Sequence, residues 1–230
     1  MRVEFLPDAD AVARAAASLI AADAREAVAA RGLFALAVSG GRTPWQMLRH
    51  LAQEDVPWRG VHLFQVDERV APAGDPDRNL THLQQSLLGT VSLPPAQLHA
   101  MPVEEADLTA AAARYASALA AVAGTPPVLD LVHLGLGPDG HTASLVPGDT
   151  SLDVTATDVT LAGPYQGRLR MTLTYPVLDR ARKVLWLVTG ADKVEMLRRL
   201  RAEDRTIPAG RVRNPGAVLL ADAAAAGTLS

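Results

Sequence analysis

The chain has 230 residues, 49% of them apolar and 20% charged, with a net charge of -3 and no cysteine. That length and apolar share suit one α/β domain built around a single core. The charge balance offers no basic excess to hold nucleic acid, and the missing cysteine excludes a disulfide, a thiolate nucleophile and a Cys-ligated metal. The N-terminal stretch carries Asp and Glu throughout and lacks the uninterrupted apolar core of a signal peptide. No stretch is long and apolar enough to span a bilayer, so neither a membrane nor nucleic acid is an expected partner, and a cytoplasmic protein is expected.

In chain order, the Ala-rich tract 11–30 reads as a helix, because its charges recur at helical spacing and Ala is the best helix former. Leu33–Val38 reads as a buried strand and Thr43–Gln53 as a helix with Pro44 in its first turn, where a missing N–H is harmless. Val61–Val66 is the next strand. Asn79–Leu88 and Glu104–Val122 are helices, the latter including the second Ala-rich tract. Leu129–Leu134 and Lys183–Val188 are strands, Ala191–Arg201 a helix with its basic residues late, and Ala217–Ala221 a last short strand. The tail from Ala221 onward reads as a frayed end. Val154–Leu173 breaks the alternation and reads as two short strands around Gly163-Pro164, a small antiparallel annex. The expected fold is α/β: one domain over residues 1–230, with a mainly parallel Rossmann-like sheet covered by helices on both faces.

Ligands of such sheets bind at the carboxyl ends of the strands. Three unusual polar clusters fall there: Ser39-Gly40-Gly41-Arg42-Thr43, Asp67-Glu68-Arg69, and the segment Gly135 to His141. In the first, the glycines free the backbone to wrap an anion while a helix N-terminus points at it, which suits a phosphate. A tight turn capped by Thr43 explains the same residues equally well. In the second, Arg69 can bind anionic oxygen while Asp67 or Glu68 fixes it or handles protons; consecutive charges after an apolar strand are also often a solvated loop, and the pattern favours function by a small margin. Asn79 reads as the N-cap of the helix behind it.

The third segment opens with Gly135-x-Gly137-x-x-Gly140, a literal dinucleotide motif. Pro138 inside it and Pro147-Gly148 soon after deny it the sustained helix such a site needs, so it is not a dinucleotide site. Its glycines, Gly137 and Gly140 among them, instead present Asp139 and His141. A carboxylate two residues from a histidine can orient the imidazole as a general base. His50, His62, His82, His99 and His133 read as structural or solvent-facing, and no histidine spacing suggests a metal site. Arg168, Arg170, Thr172 and Lys193 are further possible anion partners, Arg170 and Lys193 because they sit near strand ends.

Together these stretches resemble the glucosamine-6-phosphate isomerase/6-phosphogluconolactonase superfamily, and within it the lactonases. The resemblance rests on Ser39 to Pro44, Val66 to Val70, Gly135 to Leu145 and Arg170 to Thr174, and it covers nearly the whole chain. It implies hydrolysis of 6-phospho-D-glucono-1,5-lactone to 6-phosphogluconate, in the oxidative branch of the pentose phosphate pathway, without organic cofactor or catalytic metal. The isomerase and deaminase branch carries a Glu soon after its Gly-His. Here Thr142 to Pro147 contain none, which favours the lactonase. Val146, where lactonases often carry Phe, would reshape the pocket wall, and Arg42, where Ser is frequent, would add charge near the phosphate.

The expected site is then His141 as the base that activates water, Asp139 as its orienting partner and Arg69 at the oxyanion. Substrate is held by Ser39, Gly40, Gly41, Thr43, Asp67, Glu68, Gly137, Gly140, Arg170 and Lys193, with Arg170 and Lys193 at the phosphate. Two other readings stand beside it. One is an aldose–ketose isomerase or deaminase acting on an amino-sugar phosphate. The other is a non-catalytic sugar-phosphate sensor, for which the chain shows no output module.

Overall fold

The computed structural model describes residues 1–227. The chain runs β1 (Arg2–Leu6), α1 (Ala9–Arg31), β2 (Phe34–Val38), α2 (Arg42–Leu51), β3 (Val61–Gln65), β4 (Asp67–Arg69), α3 (Asn79–Leu83), β5 (Leu98–His99) and α4 (Leu108–Ala123). It continues through β6 (Leu131–Gly135), β7 (Val159–Tyr165), β8 (Arg168–Leu173), α5 (Tyr175–Arg180), β9 (Val184–Val188), α6 (Val194–Arg201), β10 (Val218–Asp222) and α7 (Ala223–Ala226). Seven strands form a parallel sheet in the order β1-β10-β9-β6-β2-β3-β5. A separate antiparallel sheet has the order β4-β8-β7.

Side-chain alternation divides the core. Phe34, Leu36 and Val38 pack on one face, under α1 and α2, while Ala35 and Ala37 pack on the other, with α4, α6 and the antiparallel sheet. The buried face of α1 includes Ala13, Ala16, Ala17, Ala21 and Ala24, small enough to bring the helix close to the strands. Asp8 caps α1 by accepting from Ala11 N at 2.8 Å, and Gly32, at φ 75°, ends it.

The expected architecture is the observed one, with several local corrections. Arg2–Leu6 is an edge strand on β10. Leu98–His99 extends the other edge. The helix expected from Glu104 starts at Leu108, because Asp107 supplies the cap. Asn79–Leu88 is one short α-helix followed by a widened turn, Gln84–Leu88. The annex turns at Gln166-Gly167, not at Gly163-Pro164, which lies within β7, and it gains a third strand from Asp67–Arg69. The tail is not frayed as far as Gly227: Asp222 caps α7, whose Ala225 and Ala226 are buried. Its last three residues, 228–230, lie outside the described residues.

Candidate active site

The sheet order reverses direction between β2 and β6, and a crevice of about 660 Å³ opens there at the carboxyl ends of the strands. The loops after β2, β6 and β9 enter it, together with the β4 and β8 edge of the antiparallel sheet. All three polar clusters singled out from the sequence send residues into this one space.

Below the crevice, the Ser39 turn is fixed from the sheet. Ser39 N donates to His133 Nδ1 at 3.2 Å and Ser39 Oγ to His133 O at 3.0 Å. Gly41, at φ 130°, occupies the cap position of α2, so the helix starts without a side-chain cap. Thr43, an alternative cap from sequence, lies inside the helix and shares a hydrogen bond with Thr189 at 2.6 Å. Gly40 passes so close to Asn79 that a Cβ would collide with its side-chain amide. Arg42, Thr189, Gly190 and Lys193 also line the crevice, and Lys193 N donates to Gly190 O at 3.0 Å.

His133 carries a consequence of its own. It is fully buried, and burial depresses its pKa from 6.5 to about 3. The unfolded chain therefore binds a proton below pH 6.5 that the native state refuses, so stability falls as pH drops from there towards 3. Between pH 7 and 5 the loss from this group is expected to be about 1–2 kcal/mol. Urea unfolding should show a shallower dependence over that interval in His133→Gln than in the parent; identical slopes would remove His133 as the cause.

The loop after β6 presents the imidazole. His141 Nδ1 donates to Asp139 Oδ1 at 2.5 Å, and His141 N donates to the same oxygen at 3.1 Å. With Nδ1 so occupied, Nε2 is the free ring nitrogen. Tyr165 donates to the other carboxylate oxygen at 3.1 Å. Burial would raise the Asp139 carboxyl, but these hydrogen bonds and the imidazole outweigh it and hold it below the ordinary carboxylate value. Gly137 is required here, since a Cβ on it would occupy the space of the imidazole. Gly140 shapes the turn, and its carbonyl accepts from Ala209 N at 2.9 Å.

Strand β4 sorts the Asp67-Glu68-Arg69 cluster by alternation. Asp67 and Arg69 line the crevice, and Glu68 points the other way and is completely buried. Glu68 accepts from Gln65 Nε2 (2.9 Å) and from the backbone N–H groups of Arg69, Asn79 and Leu80 (each 2.8 Å), and it pairs with buried Arg78 at 3.1 Å. Its oxygens are spent on the start of α3, so Glu68 leaves the set of substrate-binding candidates. Asn79 does not cap α3 from its side chain; it donates to Asp67 O at 2.9 Å and accepts from Arg69.

Arg69 and Arg170 are direct cross-strand partners between β4 and β8. Arg170 is nearly buried, its Nη1 reaches Ser144 Oγ at 3.5 Å, and its Nε has no partner. Burial, and then the neighbouring Arg69, lower its pKa. Like charges placed opposite each other in a ladder are destabilising, so the pairing is suited to an anionic oxygen between them. Arg170 thus stands with Arg69 and Tyr165, and Lys193 alone of the two later cations lies with Thr189 and Gly190. Arg168 is drawn away to Asp75 and Asp77. Val146 is buried in the core and does not line the crevice.

Ser144, Tyr165, Thr189 and Gly190 were not expected among the site residues. Thr189 and Gly190 follow a strand, so the strand-exit rule reaches them. Ser144 donates to Asp67 Oδ2 at 2.6 Å, a contact across 77 residues that no local pattern encodes. Among the described residues no group of three or more His, Asp or Glu side chains is arranged to hold a metal ion, and no helix is long and apolar enough to cross a membrane.

A family model described as glucosamine-6-phosphate isomerases/6-phosphogluconolactonase matches residues 7–220. The chain belongs to this family. A 6-phosphogluconolactonase of Nostoc sp. is 35% identical over 99% of this chain and 98% of its own length. One from Synechocystis sp. is 40% identical over 75% of this chain and 73% of its own. The crystal structure of 6-phosphogluconolactonase from Thermotoga maritima superposes with a TM-score of 0.86 at 25% identity, covering 96% of this chain and 98% of that one. The family's parallel sheet and its small antiparallel companion are thus common to this chain and its solved relatives.

Proposed function

We propose that this chain hydrolyses 6-phospho-D-glucono-1,5-lactone to 6-phosphogluconate, the activity named for its relatives in Nostoc and Synechocystis. The observation that carries the reading is an imidazole tied through Nδ1 to a carboxylate, Nε2 free, in the same crevice as an anion cradle and a pair of arginines. His141 Nε2 takes a proton from water as its oxygen attacks the lactone carbonyl carbon. Arg69, with Arg170 beside it, stabilises the oxyanion. When the intermediate collapses, the bond between the carbonyl carbon and the ring oxygen breaks, and the imidazolium returns the proton to that oxygen. The Ser39–Thr43 turn, the N-terminus of α2 and Lys193 hold the phosphate and fix the ring for attack. No covalent intermediate is needed, because the carbonyl is already electrophilic.

The amino-sugar phosphate alternative is disfavoured by the segment after His141. Thr142, Ser144, Leu145 and Val146 are buried and bring no further carboxylate to the crevice. The test is acid release from freshly generated lactone above the spontaneous background. The phosphorylated lactone should be opened with a kcat/KM roughly 10²-fold or more above that for unphosphorylated gluconolactone. Equal values for the two would defeat the phosphate anchor, and no release above background would defeat the proposal.

A further inference from the structure

Tyr165 ends β7 at the tip of the antiparallel sheet, and the reaction sequence above does not use it. Its position is nevertheless specific at both ends of the side chain. The hydroxyl donates to Asp139 Oδ2 at 3.1 Å and lies 3.4 Å from His141 Nδ1. The ring meets the imidazole edge-on, with centroids 5.3 Å apart and planes at 64°. The Arg170 guanidinium lies over that same ring, 5.0 Å from its centroid.

The hydrogen bonds of the Asp139 carboxylate explain why this matters. Oδ1 is taken by the backbone and ring of His141. Oδ2 is held by Tyr165, so the carboxylate is fixed at both oxygens and its plane about the Cβ–Cγ bond is set more narrowly than the Oδ1 contacts alone would set it. The ring, meanwhile, supports a guanidinium that has few other partners, only long contacts to Ser144 (3.5 Å) and Gln166 (3.4 Å). We infer that Tyr165 is a positioning residue that locks the Asp139–His141 pair through its hydroxyl and seats Arg170 through its ring, so that one side chain sets the spacing between base and cation. The inference rests on the lactonase reading for its kinetic consequences.

The hydroxyl and the ring separate by substitution. Asp139 on its own loop and Tyr165 on β7 touch the imidazole, and the other charged groups lining the crevice with it are Arg42 on α2, Asp67 and Arg69 on β4, Arg170 on β8, and Asp192 and Lys193 after β9. Tyr165→Phe keeps the ring and removes only the hydroxyl. It should lower kcat roughly three- to tenfold with KM within about twofold of the parent. It should also move the acid limb of the kcat profile to higher pH, because a carboxylate that has lost a donor presents more negative charge to the imidazole sharing it. Tyr165→Leu removes both ends and should lower kcat by roughly a further three- to tenfold, since the ring seats the Arg170 that stands at the oxyanion.

A Tyr165→Phe protein with parental kcat and an unmoved acid limb would overturn the hydroxyl's role. A Tyr165→Leu protein with the same kcat as Tyr165→Phe would overturn the ring's. If the parent opens no lactone, the proposed function fails instead, and the lock is then decided by NMR titration of the His141 ring. A midpoint in Tyr165→Phe displaced upward from the parent's supports it, and an identical midpoint overturns it. Should Tyr165→Leu not fold, Tyr165→Met takes its place with the same expected and overturning results.

Discussion

Replacing His141 with alanine is expected to lower kcat by roughly 10²-fold or more, the usual scale for a lost general base, while the protein stays folded. The loop that carries the imidazole does not depend on it. Gly137 N donates to His141 O at 2.8 Å and Ala209 N to Gly140 O at 2.9 Å, both through backbone atoms that alanine retains. Asp139→Asn should lower kcat by less, since it weakens orientation without removing the proton acceptor. The competing candidate for the base is Asp67, whose Oδ2 is already bound by the Ser144 hydroxyl in a buried position. Steady-state kinetics on folded His141→Ala, with circular dichroism as the control, decide between them. A near-parental kcat would refute the mechanism and leave the family membership untouched.

The second large effect is on stability, at a residue that never sees the crevice. Glu68→Ala is expected to cost about 3–5 kcal/mol, because it takes from a buried guanidinium the more buried of its two carboxylate partners and leaves three backbone N–H groups without an acceptor. That is a large part of the stability of an ordinary domain. Equilibrium urea unfolding measures it, and a loss below about 1 kcal/mol would show that water, with the Glu104 carboxylate that Arg78 already holds at 2.8 Å, compensates for the contact. Activity should fall as well, through Asn79 and Arg69 losing their frame.

The same cluster shows how far the sequence could be read. The strand–helix rhythm places the sheet and its crevice, and the strand-exit rule alone brings Ser39, Arg69 and His141 together. Local spacing sufficed for Asp139 and His141, two residues apart. It failed for Glu68, because Asp67–Arg69 read as a charged loop, and a loop has no faces. Once the segment is a strand, the period of two assigns Asp67 and Arg69 to one side and Glu68 to the other. Tyr165, Ser144 and the placement of Arg170 were not legible for a different reason. Each depends on how the antiparallel sheet folds back over the parallel one, and pairings across tens of residues leave no mark in a single sequence. Val146 misled in the same way, since its neighbours in the chain line the crevice and its own side chain does not.

The pairing of β4 with β8 also says what kind of change the enzyme would tolerate least. Point substitutions at the crevice remove one group each. Deleting or inserting a single residue in the Gln166-Gly167 turn would do more. Shifting β8 by one step against β4 would exchange inside for outside along the whole ladder, aiming Met171 at the solvent side and Arg170 at the core. Length in this hairpin, rather than the identity of its exposed residues, is therefore what keeps Arg170 opposite Arg69.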